Sequence, residues 1–371
     1  MSNLLIVIAS QDFESANHRG LWEEYSKLAG NNVLVLNLPA DYVVSKLKKK
    51  SYRIMEAKAG IKEISPSLYV LRPLYLVRPE IVHSKCYKSV ARSFWNQIEE
   101  HIKLSEYNRV SLLIYHPLWV RILHNTKENI KIVYFLYDEV RYYAHSQKIN
   151  KKKYYLDEYA CRNADVVLTM TEHLRETRAA LNSNIVVFGN GASISTSIDK
   201  TVTPIPKSVA FIGNFRSWID EQLLKKLVES RQDLLFLFAG PIENEMRSIF
   251  DDLLNSFCNT AYLGCFKKEN MNHLYKMVSC VIVPYKQNEF MQSTRPIKIV
   301  ESVLAGTPVV TIPMSGYNES SFIRFATTAK EFSTQINYAL MEGISIEQEE
   351  YRLFCKENTW IEKAKELERL I

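Results

Sequence analysis

Arg295, Lys298 and Glu301 recur at three-residue intervals in the segment Arg295-Pro-Ile-Lys-Ile-Val-Glu-Ser-Val-Leu-Ala-Gly-Thr-Pro-Val-Val310. On a helix that interval is about one turn, so two cations and a carboxylate gather beside its start. Pro296 fits a first turn, where the opening N–H groups have no intrahelical partner. Ile297, Val300 and Leu304 supply one apolar face, Gly306 a left-handed C′ position, and Pro308 a stop. Cations at a helix N-terminus suit an anion, phosphate above all. Lys298 and Glu301 are equally spaced for a plain ion pair, worth about 0.2–0.5 kcal/mol.

Further polar residues fall where strands end. Ala210-Phe-Ile-Gly-Asn-Phe-Arg216 reads as a strand running into a turn, with Gly213 permitting close backbone approach and Asn214 and Arg216 in the loop. Gly240 follows a second strand, and Tyr285 leads through Asn288-Glu289-Phe290 to Ser293 and Thr294. In the first half, His116 ends one strand and Asp138-Glu139 the next, where a carboxylate either takes a proton or caps a helix. Asp12, His18 and Arg19 lie in the first strand–helix loop. No Asp-x-Asp pair occurs in the chain.

These residues need a scaffold that aligns strand ends. Runs at Leu4–Ala9, Val33–Leu38, Leu68–Leu71, Val110–Tyr115, Ile130–Leu136, Val166–Thr169 and Ile185–Phe188 read as strands. They resume at Val209–Ile212, Leu234–Ala239, Ala261–Leu263, Cys280–Val283 and Val309–Thr311. Helical periodicity separates them, which is the pattern of parallel sheets covered on both faces. A length of 371 residues exceeds one core. The polar stretch 193–206 divides the chain into residues 1–200, residues 201–350 and a final segment 351–371. The architecture is therefore α/β, two tandem doubly wound domains, with ligands expected beyond the carboxyl ends of the strands and the site in a cleft between facing domains.

Composition excludes other classes. There is no long apolar run, no basic leader, and six scattered cysteines without a C-x-x-C pair, which suits a reducing cytoplasm. The net charge of +6 is uneven: through residue 200 there are 28 Lys and Arg against 20 Asp and Glu. Runs at Lys48–Lys50 and Lys151–Lys153 are ordinary solvated faces or attract an anionic surface.

The second half, from Gly-Asn-Phe-Arg-Ser-Trp-Ile-Asp220 through Leu-Phe-Ala-Gly-Pro241 to the Arg295–Val310 segment, resembles the donor domain of GT-B glycosyltransferases. The branch it is most similar to builds bacterial surface polysaccharides and teichuronic-acid-type polymers. The first half resembles that family through Tyr137-Asp138-Glu139, Asn163–Thr171 and Asn190-Gly191-Ala192. Trp360 matches a tryptophan in a tail helix that crosses back to the first domain. The resemblance implies two Rossmann-like domains and a nucleotide-sugar donor, UDP- or GDP-linked, as substrate, with no cofactor. Its pyrophosphate falls to Arg216 and Lys298 and its ribose to Glu301; Gly213, Asn214, Gly240, Tyr285, Ser293, Thr294 and Arg295 complete the donor site. His116, Asp138 and Glu139 become catalytic candidates; Asp12, His18 and Arg19 face the acceptor.

Many retaining members carry two glutamates separated by seven residues, and where the first would fall, eight positions before Glu301, this chain has Ser293. The expectation is a metal-independent hexosyltransferase, retaining, acting on a lipid-linked or polymeric glycan. It would be cytoplasmic, touching the inner membrane face through its basic half, with no nucleic acid partner. An epimerase of the same fold, a non-catalytic basic binding protein and a degenerate family member are the alternatives.

Overall fold

The computed structural model describes residues 2–141, 150–193, 202–267, 270–345 and 347–371. It divides into two compact units, 1–188 with 360–371, and 189–359. Part of the 193–206 stretch, and with it residue 200, lies outside the described residues.

The first unit is built on an eight-stranded sheet. Its spatial order is Ile185–Val187, Val166–Thr169, Ile130–Leu136, Arg109–Ile114, Asn3–Ile8, Asn31–Leu36, Leu68–Leu71 and Lys62–Ser65. All neighbours are parallel except the last pair. Leu4 to Ile8 are at most 4% exposed, so this strand is covered on both faces, as a continuous aliphatic run requires. The chain order reverses between Asn3–Ile8 and Arg109–Ile114, and the crevice at such a reversal is where open sheets hold ligands.

The second unit carries a six-stranded parallel sheet ordered Thr260–Tyr262, Leu235–Ala239, Ile205–Ile212, Val278–Val283, Val309–Thr311 and Ile323–Phe325. Its reversal lies between Ile205–Ile212 and Val278–Val283. Asp220 caps the helix Glu221–Ser230 by accepting from the Leu223 amide at 2.9 Å, and Thr328 and Glu331 form a capping box on Ala329–Glu342.

Local details depart from the sequence pattern. The strand expected from Val209 starts at Ile205, with a register shift between the two where Pro206 has no N–H to give. Pro296 is the residue before the helix and not its first turn, since Ile297–Leu304 is the helical span. The buried face of that helix is Ile299, Val300, Val303 and Leu304, with Ile297 at its edge. Gly306 does take the left-handed position, with φ 87°. The periodicity also passed over Tyr42–Leu47, Ser51–Ala59 and the edge strand Lys62–Ser65. Among the described residues no helix is long and apolar enough to cross a membrane.

Candidate active site

In the second unit, the turn after Ile205–Ile212 and the helix Ile297–Leu304 meet at the sheet's reversal point. The Lys298 Nζ lies 4.2 Å from the Phe211 ring centre and 5.2 Å from that of Tyr285. Gly213, φ 140°, makes this possible: a Cβ there would stand 2.4 Å from that Nζ. Gly240 is required more strictly, because its Cβ would fall 2.3 Å from the Gly213 carbonyl oxygen, which is backbone. Among the described residues no carboxylate comes within ion-pair distance of the Lys298 ammonium. Burial pushes its pKa down to about 7, against the opposing pull of Glu301. Glu301, one turn on, accepts a hydrogen bond from the Tyr275 hydroxyl at 3.0 Å. No side chain caps the helix, and Pro296 contributes no N–H, so its first amides point toward any anion set there.

The other donor candidates are placed as follows. Arg216 is half-buried, stacked 5.0 Å over Trp218 and paired with Glu243, while Asn214 is exposed. Tyr285 is buried against Phe211, its pKa raised by that burial. Ser293 is 1% exposed, its hydroxyl turned to the Glu289 carbonyl; Thr294 donates to the Met291 carbonyl at 3.0 Å. The amides of Gln292, Ser293 and Thr294 donate to Asn288, Phe290 and Met291 carbonyls within their own turn. Arg295 is engaged elsewhere in the unit. Its guanidinium donates to the carbonyls of Gly316 (3.0 Å) and Asn190 (3.2 Å) and to Asn358 Oδ1 (2.8 Å), and stacks over Tyr317.

In the first unit, His116 stands at the sheet's reversal point as N-cap of Pro117–Leu123. Its Nδ1 accepts from the Leu118 amide at 3.3 Å, leaving Nε2 as the proton-bearing nitrogen. It lines a small cavity with Ser10, Asn37 and Trp119. Burial, and secondarily Lys153, hold its pKa down to about 4, so the ring is neutral near pH 7. Burial pushes Asp138 up to about 6, with the Glu139 amide and Lys153 pulling the other way. Lys153, passed over in the sequence as part of a charge run, therefore acts on both groups.

Glu139 is different in kind. Burial alone would raise its pKa, but hydrogen bonds from Arg178 (2.7 and 2.8 Å) and Arg141 (2.8 and 2.9 Å) outweigh that and bring it to about 2. Arg178 also holds the buried Asp157 at 3.0 Å. The acceptor-side candidates are similarly built into the fold. Asp12 accepts from the Leu38 amide and Arg72, Arg19 pairs with Glu14 and Glu23, and His18 sits among the rings of Tyr115, Phe135 and Trp360. Phe211 and Tyr275, which shape the lysine site, gave no signal in the sequence beyond that of core aromatics. Larger cavities lie between Glu221–Ser230 and Arg247–Ser256, reaching Phe215 and Ile219, and at the Leu123–Ile130 loop. Among the described residues no group of three metal-ligating side chains occurs.

No protein-family model matches the chain. Its structure is similar throughout to solved proteins of the GT-B class, which have two Rossmann-like domains, and GT-B is its fold. An E. coli trehalose-6-phosphate protein bound with UDP-2-fluoro glucose superposes with a TM-score of 0.70 at 11% identity, covering 100% of this chain and 99% of that one. A mutant of S. aureus TarM in complex with fondaparinux, alpha-GlcNAc-glycerol and UDP gives 0.64 at 10% identity, covering 100% and 99%. In sequence, the chain is 29% identical over 102 residues to the putative teichuronic acid biosynthesis glycosyltransferase TuaH of Bacillus subtilis (strain 168). That match spans 28% of this chain and 25% of the relative's length.

Proposed function

We propose that this chain is a glycosyltransferase that moves a hexosyl group from a nucleotide sugar to a lipid-linked or polymeric glycan of the bacterial surface. The observation that carries the reading is Lys298, which has no ion-pair partner among the described residues and stands at the carboxyl ends of the second sheet. Gly213 leaves it room and a helix N-terminus stands beside it. A diphosphate supplies the counter-charge such a lysine lacks, and the charge on that diphosphate grows as the glycosidic bond breaks. A charge-assisted hydrogen bond contributes roughly 1.5–3 kcal/mol, against about 0.3–1 kcal/mol from the helix dipole, so Lys298 dominates. Arg216 joins it by releasing Glu243, and Glu301 accepts from the ribose hydroxyls. A UDP- or GDP-sugar is the donor class favoured, in keeping with the UDP ligands of proteins that share the fold. No metal is assigned, because lysine, arginine and helix amides neutralise the leaving group.

The first unit takes the acceptor, with neutral His116 donating from Nε2 to a sugar hydroxyl. Retention follows if the donor phosphate itself accepts the acceptor proton, leaving Asp138 to orient the hydroxyl. A second reading, inversion with Asp138 as general base, is favoured by its pKa of about 6, well placed for proton abstraction at neutral pH. The anomeric configuration of the first product, read by NMR, decides between them. Glu139, locked by two arginines, serves as a brace in either case.

The test is a thermal-shift screen without metal against UDP, GDP, CDP, ADP, dTDP and their common sugars. One nucleotide should raise the melting temperature by mass action, and Lys298→Ala and Glu301→Ala should remove that shift. No shift with any nucleotide overturns the reading.

A further inference from the structure

The whole net charge of the protein is matched by one short stretch. Residues 42–62 contain seven Lys and Arg against the single acid Glu56, and that acid is taken up by Arg72 at 2.6 Å. Arg53 is likewise turned inward to Asp12. Lys46, Lys48, Lys49, Lys50, Lys58 and Lys62 remain exposed. The stretch folds as two short helices, Tyr42–Leu47 and Ser51–Ala59, packed together on the ribbon of Ala40–Asp41 and Leu74–Tyr75.

Apolar side chains stand out among these lysines. Leu47 is 78% exposed, Met55 71% and Leu76 71%, with Tyr52 and Val43 also exposed. Val43 and Leu76 are neighbours, joined by a backbone hydrogen bond of 3.4 Å. Ile54 points into the unit and fixes the orientation of its helix, so that Met55, Tyr52 and Lys58 face outward together. Lys49 occupies a left-handed position, φ 54°, that glycine adopts more readily, and so keeps its charge at the tip between the helices.

We infer that this face is a docking surface for an anionic phospholipid bilayer. Exposed aliphatic and tyrosine side chains ringed by lysines match a negatively charged headgroup layer above an acyl region. Nucleic acid would use the lysines but offers nothing to Leu47, Met55 and Leu76. A second copy of this chain would set lysine against lysine. The inference goes beyond the transferase reading and stands without it.

The test is flotation of the purified full chain with vesicles of phosphatidylcholine alone and of phosphatidylcholine with one quarter phosphatidylglycerol. The chain should float with the anionic vesicles and not with the neutral ones. Each lysine at a membrane surface contributes roughly fivefold to partitioning. Joint Lys48→Glu, Lys49→Glu and Lys50→Glu should therefore lower it by ~100-fold or more. Leu47→Ser with Met55→Ser should abolish what binding survives at 0.5 M salt, where charge attraction is screened. Unchanged thermal unfolding of both variants shows that folding is intact. No flotation with anionic vesicles overturns the inference, as does flotation that neither variant weakens. A dimer dispersed by the Leu47/Met55 variant would give the face to a second copy, and preferential binding of an RNA or DNA oligonucleotide would give it to nucleic acid.

Discussion

At the scale of single residues, Lys298 ties function to stability through one proton. Its pKa falls from 10.5 in the unfolded chain to about 7 in the fold. Between those values the unfolded state binds more protons, so stability rises as pH rises from about 7 toward 10.5, and most of the penalty is present at neutral pH. Lys298→Met should therefore stabilise the ligand-free protein at pH 7.5 by on the order of 1–3 kcal/mol, discounting for partial solvation of the side chain. The same variant should lose its nucleotide. In the unsubstituted protein, a bound diphosphate restores the ammonium, so binding at pH 8 takes up a proton. Calorimetry in buffers of different ionisation enthalpy reads that uptake directly. A variant that is less stable and still binds would show that Lys298 serves packing.

At the scale of elements, what fixes the donor site is the pair of strand-end turns. Gly240→Ala presses a methyl group onto the Gly213 backbone, which has nowhere to go, whereas Gly213→Ala presses on the flexible end of Lys298. The first should cost several kcal/mol in denaturant unfolding; the second should cost less and remove nucleotide binding. Equal losses in both would mean that the lysine does not occupy the space beside Gly213. These turns were legible in the sequence because glycine at a strand end has few other uses. The parallel strands were legible too, since runs such as Leu4–Ile8 and Val281–Val283 are aliphatic on both faces. Two kinds of information were hidden. Long-range partners leave no local trace: nothing around Glu139 announces Arg178, 39 residues away. Nor does the Arg295 segment reveal that its guanidinium reaches Asn190 and Asn358. Short helices such as Ser51–Ala59, which buries Ile54 and leaves Tyr52 and Met55 exposed, show no clear apolar period.

At the scale of the whole molecule, the chain leaves the first unit after Phe188 and returns to it at Trp360. The returning helix, Trp360–Leu370, lies against Arg19–Lys27, with Trp360, Ala364, Leu367 and Ile371 each at most 4% exposed. Glu368 accepts from the Asn31 side chain at 2.7 Å, and Lys131 donates to the Leu370 carbonyl at 2.8 Å. Burying three large apolar side chains at about 1.5–3 kcal/mol each contributes on the order of 5–9 kcal/mol, as much as a domain's whole margin. The second unit needs none of this. Its last residues, Asn358 and Thr359, are held by Arg295 and by a bridge to Ala192. Truncation after Thr359 should accordingly unfold the first unit while the second keeps its cooperative transition and its stabilisation by nucleotide. Limited proteolysis with mass spectrometry distinguishes the two: early cuts should fall before residue 188, and nucleotide should slow only those between 202 and 359. If cuts spread evenly over both units, the stability of the second depends on the first, and the tail helix is a keystone of the molecule and not of one unit.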